Sequence, residues 1–254
     1  MTASTWQDRA THCLLPHWPA PGRVRALTTT RRGGVSEPPH DSWNLADHVG
    51  DRPDAVGRNR AILCQRLGLD SMPAWLQQVH SNRVVQADAL PDDCPADGAW
   101  TRSTGTVCAV LTADCLPVLL CDRGGTRVAA VHAGWRGLLA GVIEAAVDAL
   151  ETRGDELLAW LGPAIGPGAF QVGDEVRDAF LGCDPRAGAA FASDRSGYWR
   201  ADLYELGRQR LASRGVSSVY GGGRCSYTDS SHFYSYRRDG PTGRMASLIW
   251  LCEE

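Results

Sequence analysis

Between positions 75 and 161 the chain alternates short apolar, β-branched runs with turn residues, and this pattern admits little besides buried strands interleaved with helices. Residues 75–80, 84–87, 107–112, 116–121 and 127–132 each read as a strand, as does the earlier run 24–30. After His132 the apolar period lengthens. Leu138, Val142, Ala145 and Ala149, with Leu139, Ala146 and Leu150 beside them, form a helical stripe that closes before Gly154. Residues 157–161, 216–220, 233–236 and 245–251 are expected to add strands, and 173–180 and 202–214 to form helices, the latter with Leu203, Leu206 and Leu211 inward. Upstream, Asp54 is expected to cap a helix that carries Val56, Leu63 and Leu67 on one face and ends near Gly68. With no repeat period and no low-complexity linker, the 254 residues predict one α/β (α+β) domain over 1–254, made of mixed β-sheets flanked by helices rather than one parallel sheet.

Three residues at or just beyond the ends of such runs share a chemistry. His80 ends Ala-Trp-Leu-Gln-Gln-Val-His, Cys115 lies in Leu-Thr-Ala-Asp-Cys-Leu-Pro, and His132 lies in Val-Ala-Ala-Val-His-Ala-Gly-Trp-Arg-Gly. Two imidazoles and a thiolate suit zinc, and three protein donors leave a fourth position for water or substrate. The same residues admit a cysteine hydrolase, with Cys115 as nucleophile and His132 as base. Asp114, beside the cysteine, is a support for a ligand, a general base or a polar turn residue. The glycines around Trp135 and Arg136 permit a tight turn into a helix whose N-terminus, with the Arg136 guanidinium, favours an anion. Arg31-Arg32-Gly33-Gly34 offers a second anion nest, and residues 234–244 cluster tyrosines with arginines, either as a solvated loop or as a stacking surface for a base-like ring.

Composition narrows the partners. A net charge of −3 gives no basic field for nucleic acid or an anionic membrane, so a small-molecule ligand and a monomeric protein are expected. The start of the chain lacks a basic segment followed by an apolar one, and no apolar stretch is long enough to span a bilayer, so the expected location is the cytoplasm. Nine cysteines without paired spacing do not form a disulfide framework, and most are expected to be small buried hydrophobes. All 26 basic residues are arginine, which excludes Schiff-base lysine catalysis and a Walker-type phosphate loop. The seven histidines contain no His-x-His pair, so a multicopper cluster is not expected, and copper enters only as an adventitious occupant of the zinc site.

Taken together, these segments resemble the YfiH family, whose members are also described as polyphenol-oxidase or laccase-domain proteins, peptidoglycan-editing factors and purine nucleoside phosphorylases. The resemblance runs in order from Thr30-Arg-Arg-Gly-Gly-Val-Ser and Asn44-Leu-Ala-Asp-His-Val-Gly-Asp through Gln78-Val-His, Thr112-Ala-Asp-Cys-Leu-Pro and Val131-His-Ala-Gly-Trp-Arg-Gly. It continues to Leu161-Gly-Pro-Ala-Ile-Gly-Pro, Ser235-Tyr-Arg-Arg-Asp and Thr242-Gly-Arg. It implies a fold of mixed sheets flanked by helices and a zinc ion on His80, Cys115 and His132. It further implies phosphorolysis of adenosine, inosine, guanosine and methylthioadenosine, adenosine deamination, and, as alternatives, precursor editing of peptidoglycan or copper-dependent phenol oxidation. The His-x-Glu and Pro-Cys-x-x-Cys pattern of zinc nucleobase deaminases is absent, so Asp114 and His48 are the expected proton-transfer residues. Arg136 is expected to hold phosphate, and Arg31, Asn44 and Arg237 to contact substrate.

Overall fold

A computed structural model describes residues 6–91 and 94–253. The apolar runs stack as two sheets with helices outside them. The first sheet joins Cys13–Leu14, Val24–Thr29, Met245–Leu251 and Val107–Thr112 in that order, all antiparallel. The second has six strands in the order Ser218–Gly221, Leu157–Leu161, Leu116–Asp122, Val128–Ala133, Gly98–Thr101 and Val84–Gln86, with parallel pairs only at its two edges.

The alternation of side chains along each strand fixes which face meets which layer. In Val107–Thr112, Cys108 and Val110 point into a core shared with Leu119, Cys121, Ala130 and Leu158 of the six-stranded sheet. Val107, Ala109 and Leu111 point the other way, to Leu63 and Leu67 of the helix Pro53–Leu67. In Leu116–Asp122 the odd and even positions divide likewise: Leu119 and Cys121 face the first sheet, while Leu116, Val118 and Leu120 meet Ile143, Ala146, Leu206 and Leu211 of the outer helices. Because both faces of these strands are covered, they read in sequence as unbroken apolar runs. Burial pushes the Cys121 thiol up to about 12 and raises Cys108 as well, as befits cysteines that serve as small core hydrophobes. Among the described residues, no helix is long and apolar enough to cross a membrane.

Four elements depart from the sequence-based expectation. Of the run 75–80 only Leu76–Gln77 is strand, paired in parallel with Cys94–Pro95 apart from the two large sheets, because His80 turns at φ 61°. The helix after His132 is broken into Trp135–Ala140 and Val142–Ala149, because Gly141 adopts a left-handed conformation (φ 88°) that ends the first piece and starts the second. Pro53 rather than Asp54 opens the helix Pro53–Leu67. Asp54 lies in its first turn, paired with Arg52 and Arg58, and Gly68 closes the helix at φ 64°. Residues 233–235 are loop, and a short helix, Tyr236–Asp239, follows with Ser235 as its cap. Gly98–Thr101 and the antiparallel trio Gln171–Gly173, Tyr198–Ala201 and Phe191–Arg195 are strands that the apolar pattern does not announce.

Candidate active site

The chain passes from one sheet to the other at Ala113-Asp114-Cys115, between Val107–Thr112 and Leu116–Asp122. Strand register then does the assembly. Leu116 pairs with Ala133, which brings Cys115 alongside Gly134 at the end of the strand that carries His132. On the other side of that strand Gly98 pairs with Val131, so Asp97 comes to His132, whose backbone N–H donates to the Asp97 carbonyl at 2.7 Å. His80 closes the group from the turn before Val84–Gln86, with its Nε2 3.9 Å from Cys115 Sγ and its ring 4.8 Å from that of His132. The donor atoms of His80, Cys115 and His132 all lie within 4.8 Å of one another.

Two local features show that this is a built site. An added Cβ on Gly134 would stand 2.8 Å from Cys115 Sγ and 3.1 Å from His80 Cδ2, so glycine here leaves room for the cluster. Its backbone, at φ −66° and ψ 165°, would suit any residue. Second, the fully buried Asp97 accepts from His132 Nδ1 at 2.8 Å, which leaves Nε2 of that ring as the nitrogen free to act as a donor atom. The same carboxylate takes the N–H groups of Val79 (3.3 Å), His80 (2.9 Å) and Ser81 (2.6 Å) and the Ser81 hydroxyl (2.8 Å), holding the turn in which His80 adopts φ 61°. Burial works against charge on Cys115 and His132, but each is the other's counter-ion. The Cys115 thiol is thereby held well below the ordinary thiol range and His132 well above the ordinary imidazole range, with Asp97 adding to the latter. This donor set fits a zinc ion: thiolate, two neutral-capable imidazoles, and a carboxylate fixing one ring.

The cluster lies in a cavity of about 540 Å³ that also presents His48, Asp114, Phe170, Tyr236, Arg136, Arg237 and Arg244. Arg136 stacks on Trp135 at 4.3 Å at the start of the short helix, whose N-terminal end carries no side-chain cap. Arg237 lies over Phe170 at 5.3 Å and donates to the Gln171 carbonyl at 2.9 Å. His48 is exposed at the cavity and pairs with Asp47 at 3.4 Å. Asp114, buried at φ 92°, uses both oxygens: one accepts from the Ser226 hydroxyl at 2.6 Å, the other from the Arg237 backbone N–H at 2.7 Å. Its carboxylate thus ties the 226 and 237 segments to the Cys115 turn.

Arg31 and Asn44 lie outside this cavity. The Arg31 guanidinium is engaged by the Asp41 carbonyl (3.1 Å) and carboxylate (3.4 Å) and by the Ser230 carbonyl (3.2 Å), beside a separate cleft. Asn44 is fully buried. It reaches the cavity only by accepting, at 2.9 Å, the backbone N–H of Arg244. Sequence reasoning missed Asp97 and the lining role of Arg244. Desolvation lowers the pKa of the Arg244 guanidinium, while Cys115 and Asp114 pull it back up; it bonds the Thr242 carbonyl at 2.7 Å.

The family model described as multi-copper polyphenol oxidoreductase laccase matches residues 25–252. The purine nucleoside phosphorylase PA4543 of Pseudomonas aeruginosa is 57% identical over 239 residues, 94% of this chain and 98% of its own. The purine nucleoside phosphorylase YfiH of Escherichia coli is 54% identical, with the same two coverages of 94% and 98%. Among solved structures, Neisseria meningitidis protein NMB0706 superposes with a TM-score of 0.92 at 51% identity, covering 96% of this chain and 100% of that one. YlmD from Geobacillus stearothermophilus gives 0.88 at 30% identity, covering 96% and 97%.

Proposed function

The chain belongs to the YfiH family of multi-copper polyphenol oxidoreductase laccase proteins, and from that premise we propose that it is a zinc-dependent purine nucleoside phosphorylase of the cytoplasm, acting as a monomer on adenosine, inosine, guanosine and methylthioadenosine and also deaminating adenosine. The observation that carries this reading is the meeting, in one cavity, of a three-donor metal cluster, the aromatic rings of Trp135, Phe170 and Tyr236, and three arginines. A cavity of about 540 Å³ is within the range for small-molecule sites, roughly 300–1,000 Å³. Phe170 and Tyr236 offer flat surfaces for a purine.

Phosphorolysis breaks the bond between the ribose anomeric carbon and the purine nitrogen while a phosphate oxygen bonds to that carbon. Arg136 and Arg244 hold the phosphate, because the developing positive charge on the sugar needs an anion fixed against it and guanidinium keeps its charge even when partly buried. Zinc on His80, Cys115 and His132, when bound, supplies Lewis-acid charge and a water of lowered pKa. His48 is the proton carrier for the departing or attacked base, since it is exposed at the cavity, whereas both Asp114 oxygens are already accepting. Copper at the same three donors is an adventitious occupant, because the set lacks the paired histidines of a multicopper cluster.

The test is to incubate the metal-loaded protein with inosine or adenosine, with and without phosphate, and separate the products. Phosphate-dependent hypoxanthine or adenine supports the reading, and inosine from adenosine reports deamination. Base released at the same rate without phosphate would instead make the enzyme a nucleoside hydrolase. Arg244→Ala should raise the phosphate KM and leave the metal in place. A second reading, a thiol hydrolase editing peptidoglycan precursors, is favoured by one observation, the Cys115, His132 and Asp97 sequence of contacts. Rapid alkylation of Cys115 in fully active, metal-free protein would select it.

A further inference from the structure

We propose that Asp97 is the positioning residue that assembles both histidine donors of the cluster, one through its ring and the other through its backbone. The proposal rests on the reading of His80, Cys115 and His132 as metal ligands. A carboxylate behind a single metal-binding histidine is a common arrangement. Here one buried carboxylate serves two ligands from different elements. Its Oδ1 receives both the His132 ring N–H at 2.8 Å and the His80 backbone N–H at 2.9 Å, and its Oδ2 receives Ser81 twice and Val79 once. His80 is exposed and sits at a positive φ that a non-glycine residue adopts only under local constraint. The Asp97 bonds across 79–81 are that constraint, supported by Gln78, whose side-chain amide clips the turn to Leu111 with bonds of 2.8 and 2.7 Å.

The donors around Asp97 make substitutions informative. Every group facing the carboxylate donates, apart from the Ser81 hydroxyl, which can rotate to accept. In Asp97→Asn the oxygen is best retained where His132 and His80 converge, which sets the amide N–H₂ against the N–H groups of Val79 and Ser81. The ring of His132 then keeps its proton on Nδ1, while the turn carrying His80 loses its anchor. Asp97→Ala removes both constraints.

The experiment measures zinc affinity by chelator competition for wild type, Asp97→Asn, Asp97→Ala and Ser81→Ala, alongside nitrogen-15 NMR of the His132 ring and amide exchange at 79–81 in the metal-free proteins. Wild-type zinc binding should weaken about 10- to 100-fold in Asp97→Asn, with the His132 ring signature kept and exchange at Ser81 accelerated. Asp97→Ala should alter the ring signature as well. Wild-type affinity in folded Asp97 variants, or an unprotonated His132 Nδ1 in the wild type, overturns the proposal. Should neither Asp97 variant fold, Ser81→Ala decides the matter. It should weaken zinc about two- to tenfold, and unchanged affinity with unchanged exchange at His80 would be fatal. Failure of the wild-type protein to bind zinc at all would count against the metal reading, whereas the ring and exchange measurements test the role of Asp97 without metal.

Discussion

Gly134→Ala isolates the fit of the metal cluster from the stability of the fold. Alanine is comfortable at φ −66° and ψ 165°, so the backbone is not strained. Exchanging glycine for alanine before a helix costs less than about 1 kcal/mol. The new methyl, however, would meet Cys115 Sγ at 2.8 Å and His80 Cδ2 at 3.1 Å. Unstrained contacts lie at about 3.5–4.0 Å, so the sulfur must retreat by roughly 0.7 Å or more, against a tolerance of about 0.2 Å in metal–ligand distances. Overpacking of this kind costs about 1–3 kcal/mol, and if it falls on the bound state it weakens zinc by about 5- to 150-fold. Chelator competition reads the affinity, and urea unfolding of the metal-free protein reads the fold. Wild-type affinity in Gly134→Ala would refute the idea that this glycine exists to admit the cluster. Gly57→Ala supplies the contrast, because no atom lies within 4 Å of its Cβ position.

Gly57 is exposed within the helix Pro53–Leu67, so Gly57→Ala should stabilise the protein by about 0.5–1 kcal/mol in denaturant titration and leave zinc binding unchanged. The Tyr204 hydroxyl accepts from the Ala164 N–H at 2.8 Å and bonds the Arg224 carbonyl; Tyr204→Phe leaves that N–H only its longer bond to the Arg224 carbonyl at 3.3 Å, and should cost about 0.5–1.5 kcal/mol in the same titration. Burial opposes the charge on Asp97, but bonds from His132 and Ser81 prevail and hold its carboxyl below the ordinary 3.8. Its stabilising contribution is therefore complete above the unfolded value near pH 4 and is lost as the pH falls below it. Urea midpoints of the metal-free protein between pH 6 and pH 2 should fall more steeply for wild type than for Asp97→Asn. In Asp114→Asn the amide can donate to Ser226 while its oxygen keeps the Arg237 N–H, so folding should change little. Because both Asp114 oxygens are already engaged, adenosine deamination and phosphorolysis should change little and together, and a selective loss of deamination would assign the proton transfer to Asp114 instead of His48.

Strands Val107–Thr112, Leu157–Leu161 and Met245–Leu251 are legible from sequence because both of their faces are buried and each residue reports it. Gly98–Thr101 is mostly buried but short, and it opens with glycine after an aspartate, a combination that reads as a turn. The Phe233-Tyr234 pair misleads in the opposite sense. Tyr234 is fully buried, but its hydroxyl bonds the His40 carbonyl at 2.8 Å and its ring lies under Arg31, so tertiary contact rather than a strand ladder explains its burial. His80, Cys115 and His132 stand out because few residue types bind soft metals. Asp97 carries no such mark: its meaning comes from the register of Gly98 with Val131, a long-range fact that no local pattern encodes.

The three donors come from a turn, a crossing between sheets and the end of a strand, and His80 and Cys115 are 35 residues apart in sequence. An unfolded chain cannot hold them together, so zinc bound through all three belongs to the native state alone and raises the free energy of unfolding by mass action. At free zinc 100 times the dissociation constant the gain is about 2.7 kcal/mol. On the proposed zinc reading, metal supply would govern how long each molecule survives proteolysis as well as what it can catalyse, and a cell short of zinc would hold less of this protein even at unchanged synthesis.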